Sequence, residues 1–246
     1  MVGVIFCAGL GTRLKPLTDT MPKALVPLAG KPLLQWQVEK LRAAGITDII
    51  VNVHHFPDMI IDAVRQNEGW GANILISDER DQLLDTGGGL KKILNYQFSI
   101  INSQFSIINS PILACNVDIL SNIDVRALIS AYERTGVSQL VVSDRQTQRY
   151  LCFDEQNQLC GWTNMATGEL KGRDGCHLAF SGMQILSPDA LALLNEMPDE
   201  KFSLIDFYLK AMNKLPLQAY VPGDYRMMDV GKINQIEEAE AFAESL

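Results

Sequence analysis

Residues 2–13 read Val-Gly-Val-Ile-Phe-Cys-Ala-Gly-Leu-Gly-Thr-Arg, a short apolar run that leads into a glycine-rich loop. A continuous apolar run with β-branched members is typical of a strand that is buried on both faces. Glycines directly after such a strand let the backbone approach a ligand closely, and consecutive N–H groups there can bind an anion. The stretch therefore predicts a central strand over residues 2–7 that ends in a loop suited to phosphate.

The segments that follow alternate between helix and strand patterns. Pro32 suits a first helical position, Leu34, Val38 and Leu41 follow at helical spacing, and Gly45 supplies the stop. Further helices are predicted over 57–66 and 121–134, and strands over 48–53, 72–77, 111–115 and 138–143. Such alternation implies parallel pairing with right-handed crossovers. We expect a Rossmann-like three-layer α/β/α sandwich with a mostly parallel mixed sheet, as a single domain over residues 1–246.

The second half of the chain has a different pattern. Residues 151–183 form short, mixed segments separated by turn signals such as Gly-Arg-Asp-Gly, which predicts a small antiparallel element laid over one edge of the sheet. Ser203 followed by Asp206 resembles a capping box and predicts the start of a helix. The last helix is predicted over residues 233–242.

A seven-residue segment is duplicated. Residues 97–103 read Gln-Phe-Ser-Ile-Ile-Asn-Ser, and residues 104–110 repeat it letter for letter. Two copies are too few for a solenoid, so we interpret the repeat as a duplication in the connection before the fourth parallel strand. The alternative is a partner-binding strand, because the segment is uncharged and has high β-propensity.

Composition restricts the classes of function. The 246 residues carry a formal net charge of −8 and no basic stripe, so nucleic acid is not an expected partner. No stretch approaches the roughly 18 apolar residues of a membrane span, and the five cysteines lack a Cys-x-x-Cys pair. We expect a soluble cytoplasmic protein with no membrane partner, in which an anionic ligand is held by local cations and backbone N–H groups.

The glycine-rich loop is ambiguous on spacing alone. It lacks the third glycine of the dinucleotide fingerprint and the Lys-Ser/Thr of the P-loop, so a plain turn is the alternative. Arg13 adds a charged fork suited to phosphate oxygens, and Lys23 follows Pro22 ten residues later.

Residues 9–33 contain Gly-Leu-Gly-Thr-Arg-x-x-Pro-Leu-Thr and then Met-Pro-Lys-Ala-Leu-Val-Pro-Leu-Ala-Gly-Lys-Pro-Leu. This segment resembles the signature of the sugar-1-phosphate nucleotidyltransferases. Four later segments match that family in order, so that the resemblance covers nearly the whole chain. They are Asp85-Thr86-Gly87-Gly88-Gly89, Asn116-Val117-Asp118, Phe180-Ser181-Gly182 and Met228-Asp229-Val230-Gly231.

The resemblance implies an enzyme that transfers a nucleotidyl group from a nucleoside triphosphate to a sugar 1-phosphate and releases pyrophosphate. Arg13 and Lys23 would be catalytic, Asp118 and Asp229 would bind Mg²⁺ or Mn²⁺, and Asn116 and Gly182 would bind the sugar substrate. Nucleotide binding is expected of Ala8, Gly9, Gly11, Thr12, Arg13, Lys23, Glu79, Asp85 and Gly88. The expected substrates are UTP with N-acetylmuramic acid 1-phosphate, and the alternative is GTP with mannose 1-phosphate.

Other interpretations stay open at this point. A lysine is most often a solvated surface charge, Asp118 is also suited to cap the helix expected after Ser121, and Asp229 suits a turn. The family's usual glycine before the metal aspartate is Val117 here, which leaves a non-catalytic nucleotide-sugar binding protein as the competing class. The family's usual threonine after Asp-Val-Gly is Lys232. Its Glu-Lys-Pro element has only Glu169 and Lys171 as candidates, and the oligomeric state is open between monomer and homodimer.

Overall fold

The computed structural model describes residues 1–99 and 109–246 and, over 96–99, the backbone alone. Seven α-helices are described: α1 Leu33–Ala43, α2 Pro57–Gln66, α3 Asp85–Ser99, α4 Val125–Thr135, α5 Pro188–Asn195, α6 Leu204–Ala211 and α7 Ile236–Glu244. Fourteen strands are described: β1 Val2–Phe6, β2 Pro27–Leu28, β3 Lys31–Pro32, β4 Asp48–Val53, β5 Asn73–Asp78, β6 Ile112–Asn116, β7 Ile119–Ser121, β8 Ser138–Ser143, β9 Arg149–Phe153, β10 Leu159–Asn164, β11 Glu169–Gly172, β12 Cys176–Leu186, β13 Leu217–Tyr220 and β14 Met227–Asp229. Among these residues, no helix has the length and apolar character needed to cross a membrane.

One ten-stranded mixed sheet carries the fold. Its parallel part has the order β6-β1-β4-β5, and β1 lies at its centre, paired in parallel with both β4 and β6. Side chains of β1 alternate between two cores: Val4 and Phe6 pack into one and Ile5 into the other. Burial on both faces explains why this strand is a continuous apolar run. The predicted α/β sandwich with a mostly parallel mixed sheet is confirmed.

The antiparallel strands β9 to β12 extend the main sheet instead of lying over its edge. The link is the eleven-residue strand β12, whose last part pairs with β6 and whose first part pairs with β9. Its register against β8 shifts between Phe180 and Gln184, where Gly182 has a φ of 70°. A glycine in this left-handed region allows a local bend that other residues resist. The bend lets a single strand serve both halves of the sheet.

Two predicted helices begin at other residues in the structure. Helix α4 begins at Val125, not near Ser121, because Ser121 ends strand β7 and Asp124 is the N-cap. The segment expected as one helix over 233–242 is a 3₁₀ turn, Ile233–Gln235, followed by α7. The predicted loop over the duplicated heptapeptide, 97–110, falls largely outside the described residues, and α3 takes up its first three positions.

Gly87 to Gly89 lie at the beginning of helix α3, although three consecutive glycines are typical of a loop. The contact with Phe202 explains why glycine is found here. The N–H groups of Gly87 and Gly88 donate to the Phe202 carbonyl at 3.0 and 3.1 Å. Small residues are needed for this contact: a Cβ on Gly87 would lie 2.4 Å from the Phe202 ring and 2.9 Å from the Phe202 carbonyl oxygen. The beginning of α3 is therefore fitted against the segment that leads into α6.

Gly87→Ala tests this fit. Helix propensity alone favours alanine by about 1 kcal/mol, whereas overpacking against a backbone atom costs about 1–3 kcal/mol. The middle of these ranges gives a net loss of about 1 kcal/mol in the free energy of unfolding, measured by urea denaturation. Gly223→Ala is the control, since no heavy atom lies within 4 Å of a Cβ there. Equal stability of the two variants would contradict the proposed contact.

Candidate active site

The glycine-rich loop bends at Gly11. This residue has φ 64° and ψ 23°, and its carbonyl accepts a hydrogen bond from Thr18 Oγ1 at 2.8 Å. A Cβ at Gly11 would lie 2.8 Å from Thr18 Cγ2, so both conformation and space require glycine. No heavy atom lies within 4 Å of a Cβ built on Gly9. The loop is thus packed at Gly11 and open to a ligand at Gly9. Ala8, the residue before Gly9, is buried.

A cavity of about 280 Å³ lies at the end of β1 and β6. It brings together seven of the residues predicted from sequence, namely Gly9, Gly11, Thr12, Arg13, Lys23, Asn116 and Asp118. Thr86, Val117 and Gly231 also line it. Ligands of open α/β sheets bind outside the carboxyl ends of the strands, and the cavity occupies such a position.

Lys23 and Asp118 form an ion pair in the cavity wall. Lys23 Nζ donates to Asp118 Oδ2, and the side chains are only 9% and 20% exposed. Lys23 opens a 3₁₀ turn, Lys23–Leu25, after Pro22, and Asp118 follows strand β6. The burial rules out the solvated-lysine interpretation for the free protein. Asp118 also does not cap α4, since Asp124 does so.

The two predicted metal-binding aspartates, 111 positions apart in the sequence, meet at one small sheet. Strands β7 and β14 pair antiparallel with Asp229 opposite Ile119, and the N–H of Val230 donates to the carbonyl of Asp118 at 2.9 Å. Arg13 Nη2 lies 3.7 Å from Asp229 Oδ2, with both side chains about half exposed. An exposed pair of this kind contributes little to stability, so both groups stay available to a ligand.

Gly231 is a site residue that sequence reasoning did not select. A Cβ there would lie 2.6 Å from Asp229 Oδ1 and 2.7 Å from Arg13 Nη2. Any side chain would therefore disturb the Arg13–Asp229 pair. The signal was present in Met228-Asp229-Val230-Gly231, but glycine carries no chemistry of its own and only the packing shows its role.

Glu79 is fully buried after strand β5. Its Oε1 accepts a hydrogen bond from Asn52 Nδ2 at 2.8 Å, and Asn52 Oδ1 accepts one from the N–H of Cys7 at 2.7 Å. Asn52 thus connects Glu79 to Cys7, which directly precedes the glycine-rich loop. No hydrogen bond of good geometry reaches Glu79 Oε2 among the described residues. Burial raises the pKa of this carboxyl group and outweighs the lowering effects of Asn52, the Leu84 backbone, Lys92 and His54.

The predicted residues Asp85, Gly88 and Gly182 are not among the residues that line the cavity, although Thr86 is. Asp85 begins α3 with a φ of 63° and accepts from the N–H of Thr86 at 2.6 Å, while Thr86 Oγ1 accepts from the N–H of Leu204 at 3.0 Å. Gly88 packs on Glu200, where a Cβ would lie 2.8 Å from the carbonyl oxygen. On the opposite side, a Cβ on Gly182 would lie 3.1 Å from Asn116 Nδ2, so these two residues are neighbours.

A second, open cleft of about 640 Å³ adjoins the cavity and shares Arg13 with it. Arg149 and Lys232 supply two further cations, and the remaining lining residues are Gln146, Thr147 and Gln148. The lining therefore carries three positive and no negative side chains, although Asp229 lies beside Arg13. Such a surface attracts anions.

Val117 and the Glu169–Lys171 segment are two positions where the sequence departs from the family pattern. Val117 is only 4% exposed, packs in the hydrophobic core and also lines the cavity. Glu169 and Lys171 lie on strand β11, exposed and 3.5 Å apart. Neither of them lines the cavity or the open cleft.

Glu79→Gln tests whether Glu79 is an uncompensated buried charge. Because its pKa is raised, the folded state binds the proton more tightly than the unfolded chain, and wild-type stability falls as pH rises through that pKa. Glutamine still accepts from Asn52, and an unpartnered amide costs less than a charge. We expect Glu79→Gln to be more stable than wild type at neutral pH, with the difference shrinking towards pH of about 4.3 in urea denaturation.

The control for this prediction is Glu39→Gln, because the pKa of Glu39 is shifted in the opposite direction. Burial raises the pKa of Glu39, but hydrogen bonds from Lys31 and Gln35 outweigh this effect, so that the pKa of Glu39 is lowered. Its stabilising effect is present at neutral pH and is lost as pH falls through the lowered pKa, so Glu39→Gln is expected to be less stable than wild type at neutral pH. A loss of stability in both variants would contradict the assignment for Glu79.

Comparison with known proteins identifies the family. The family model described as nucleotidyl transferase matches residues 2–152. The N-acetylmuramate alpha-1-phosphate uridylyltransferase of Caulobacter vibrioides is 32% identical over 218 residues, which cover 84% of this chain and 82% of the relative. The mannose-1-phosphate guanyltransferase of Yarrowia lipolytica is 45% identical over 92 residues, 37% of this chain and 25% of that protein.

The solved structure of HddC from Yersinia pseudotuberculosis, complexed with GMP-PN, is 25% identical. It aligns with a TM-score of 0.72 over 99% of this chain and 100% of its own. The family match covers more than half of the chain, and the Caulobacter relative exceeds 30% identity over most of both proteins. The chain therefore belongs to the nucleotidyl transferase family.

Proposed function

We propose that this protein transfers a uridylyl group from UTP to N-acetylmuramic acid 1-phosphate and releases pyrophosphate. The observation that carries the transferase reaction is that Lys23, Arg13 and Asp118 line one cavity. Asp229 is not in that lining but lies 3.7 Å from Arg13, next to the lining residue Gly231. The sugar and base follow the Caulobacter relative's name. GTP with mannose 1-phosphate is the second candidate, supported by the shorter match to the guanyltransferase. We take residues 1–246 as one catalytic domain.

In this reaction a phosphate oxygen of the sugar 1-phosphate attacks the α-phosphorus, and the bond to the β-phosphate breaks as pyrophosphate leaves. Such transfers depend on positioning and on neutralising charge. Lys23 neutralises the α-phosphate, where charge develops, and Arg13 neutralises the leaving pyrophosphate. The backbone of Gly9, Gly11 and Thr12, which is open at Gly9, binds the triphosphate through N–H groups.

Members of this family generally use a divalent metal. The two carboxylates of Asp118 and Asp229 are hard oxygen ligands at adjacent strand ends, which suits Mg²⁺, with Mn²⁺ as the alternative. When bound, the ion neutralises phosphate oxygens. In the free protein Lys23 Nζ is paired with Asp118 Oδ2. A bound triphosphate would offer Lys23 a second anion, the α-phosphate, as a partner.

Glu79, Asp85 and Gly88 are the proposed base-side residues. The partner-free Oε2 of Glu79 is a hydrogen-bond acceptor, and uracil offers one N–H donor whereas guanine offers an N–H and an amino group. A buried acceptor without a partner destabilises the free protein, which is typical of sites that are completed by a ligand. This feature fits either base.

The charge of the open cleft favours the muramic sugar over mannose. N-acetylmuramic acid carries a lactyl carboxylate that mannose lacks, and the cleft beside the cavity presents Arg149 and Lys232. Asn116 and Gly182 are the proposed sugar contacts on the cavity side. Lys232 stands where the family usually has threonine, so this chain has an additional cation next to the sugar site.

The proposed reaction is tested by pyrophosphate release with Mg²⁺ over four nucleoside triphosphates and a panel of sugar 1-phosphates. A signal that requires UTP and the muramic sugar supports the proposal, and one that requires GTP and mannose supports the second candidate. No release, from protein that still binds nucleotide, would support a non-catalytic binding protein.

The five free cysteines fit a reducing cytoplasmic location. Light scattering would decide between a monomer and a homodimer.

Lys23→Ala tests the catalytic assignment. Removing one positioned cation from a developing charge lowers kcat by about 10²–10³-fold. The control is Lys31→Ala, which removes another paired lysine, 2.6 Å from Glu39 and outside the cavity lining. Circular dichroism checks that both variants fold. Unchanged turnover in folded Lys23→Ala would remove Lys23 from the mechanism.

Lys232→Thr tests the sugar assignment. We compare N-acetylmuramic acid 1-phosphate with N-acetylglucosamine 1-phosphate, which differs by the lactyl group alone. Loss of one charge-assisted contact is expected to lower kcat/KM about tenfold for N-acetylmuramic acid 1-phosphate. We expect kcat/KM for N-acetylglucosamine 1-phosphate to stay unchanged. Lys210→Thr on α6 is the control for net charge. An equal loss with both sugars would show that Lys232 does not recognise the lactyl carboxylate.

A further inference from the structure

We propose that Cys152, Asp174 and His177 bind one thiophilic divalent cation, of the Zn²⁺ class, in the antiparallel half of the sheet. The Cys152 sulfur, one Asp174 carboxylate oxygen and one His177 ring nitrogen all lie within 4.8 Å of one another. None of the three residues lines the nucleotide cavity or the cleft with Arg149 and Lys232. The site is therefore separate from the proposed Mg²⁺ ligands.

Strand register brings these ligands together. His177 on β12 lies opposite Cys152 on β9, and residues directly opposite in an antiparallel pair point to the same face. Asp174 is in the short connection between β11 and β12, with Oδ1 2.6 Å from His177 Nε2 and 4.0 Å from Cys152 Sγ. Cys176 lies opposite Phe153 instead, so it belongs to the other face of the strand pair.

The donor set selects the class of cation. A thiolate, an imidazole and a carboxylate are the usual ligands of zinc, and three protein ligands leave a fourth position for water. Zinc–ligand distances of about 2.0–2.3 Å place ligand atoms roughly 3.3–3.8 Å apart, so small side-chain rotations suffice here. The Asp174 side chain is 68% exposed, and its Oδ1 accepts a hydrogen bond from the N–H of Gly175 at 2.9 Å. Mg²⁺ prefers oxygen ligands and does not suit this set.

Of the three proposed ligands, only Asp174 borders the open cavity of about 550 Å³ on the Cys176 face of the strand pair. Cys152 and His177 do not line it, so the proposed site does not depend on that cavity. Cys152 is itself completely buried. In the proposed site a cation would therefore be taken up from the side of Asp174 and His177, whose side chains are 68% and 33% exposed.

Cation binding through the Cys152 sulfur would release the thiol proton to solvent, because the thiolate is the form that binds a metal. A cation held here would connect β9, β12 and the connection before β12. It would stabilise the strand that continues to Gly182 beside the nucleotide cavity.

The test uses chelator-treated full-length protein titrated with Co²⁺, which gives a thiolate-to-cobalt charge-transfer absorption only when a sulfur is a ligand. We expect this band to saturate at about one equivalent and to be displaced by Zn²⁺. Asp174→Asn, a change at an exposed side chain, and Cys152→Ser should weaken binding by more than the roughly 10–100-fold loss that follows from removing an outer-shell partner. Zn²⁺ should raise the Tm of the wild type but not of Asp174→Asn.

Cys176→Ser is the matched control, since it removes the neighbouring exposed cysteine on the other face and should leave the band unchanged. Absence of the charge-transfer band in wild-type protein would overturn the proposal. A band that persists in Asp174→Asn and Cys152→Ser but disappears in Cys176→Ser would overturn it as well, because the sulfur ligand would then be a different one. If Cys152→Ser does not fold, Asp174→Asn alone decides.

Discussion

The parallel pairing of β1 on both of its edges is the constraint on which the site depends. Phe6, the last residue of β1, lies opposite Asn52 of β4 and opposite Asn116 of β6. Three chain segments therefore leave the sheet at the same level. The glycine-rich loop, the Asn52 side chain that holds Glu79, and the Val117–Asp118 turn all start from this line, so the distances among them follow from backbone hydrogen bonds more than from side-chain packing.

Charges at this edge are only partly compensated. Lys23 and Asp118 neutralise each other with little exposure to water, Arg13 and Asp229 approach within 3.7 Å at the surface, and Glu79 is buried with one oxygen lacking a partner among the described residues. Buried polar groups without full hydrogen bonding lower stability, and proteins keep them where a ligand completes the set. The electrostatics and the position at the strand ends therefore point to the same region of the fold.

The antiparallel half has a different dependence on sequence. Its strands are short, and their pairing is decided by the bend at Gly182, which allows β12 to pair with β6 at one end and with β9 at the other. The same register that places Gly182 beside Asn116 also places His177 opposite Cys152. A single strand thus links the sugar side of the proposed active site with the proposed cation site.

The sequence alone determined the elements whose periodicity is strong and local. β4 and β8 begin and end where the apolar runs predict, Gly45 and Gly136 end their helices in the left-handed conformation, and the Ser203–Asp206 capping box forms as predicted. Tertiary structure alone decided the helical state of Gly87 to Gly89, the short β7–β14 pair that brings Asp118 next to Asp229, and the burial of Glu79. The physical reason is range: caps and periodic burial act over a few neighbouring residues, whereas these three features depend on partners, such as Phe202 and Asn52, that are distant in the chain.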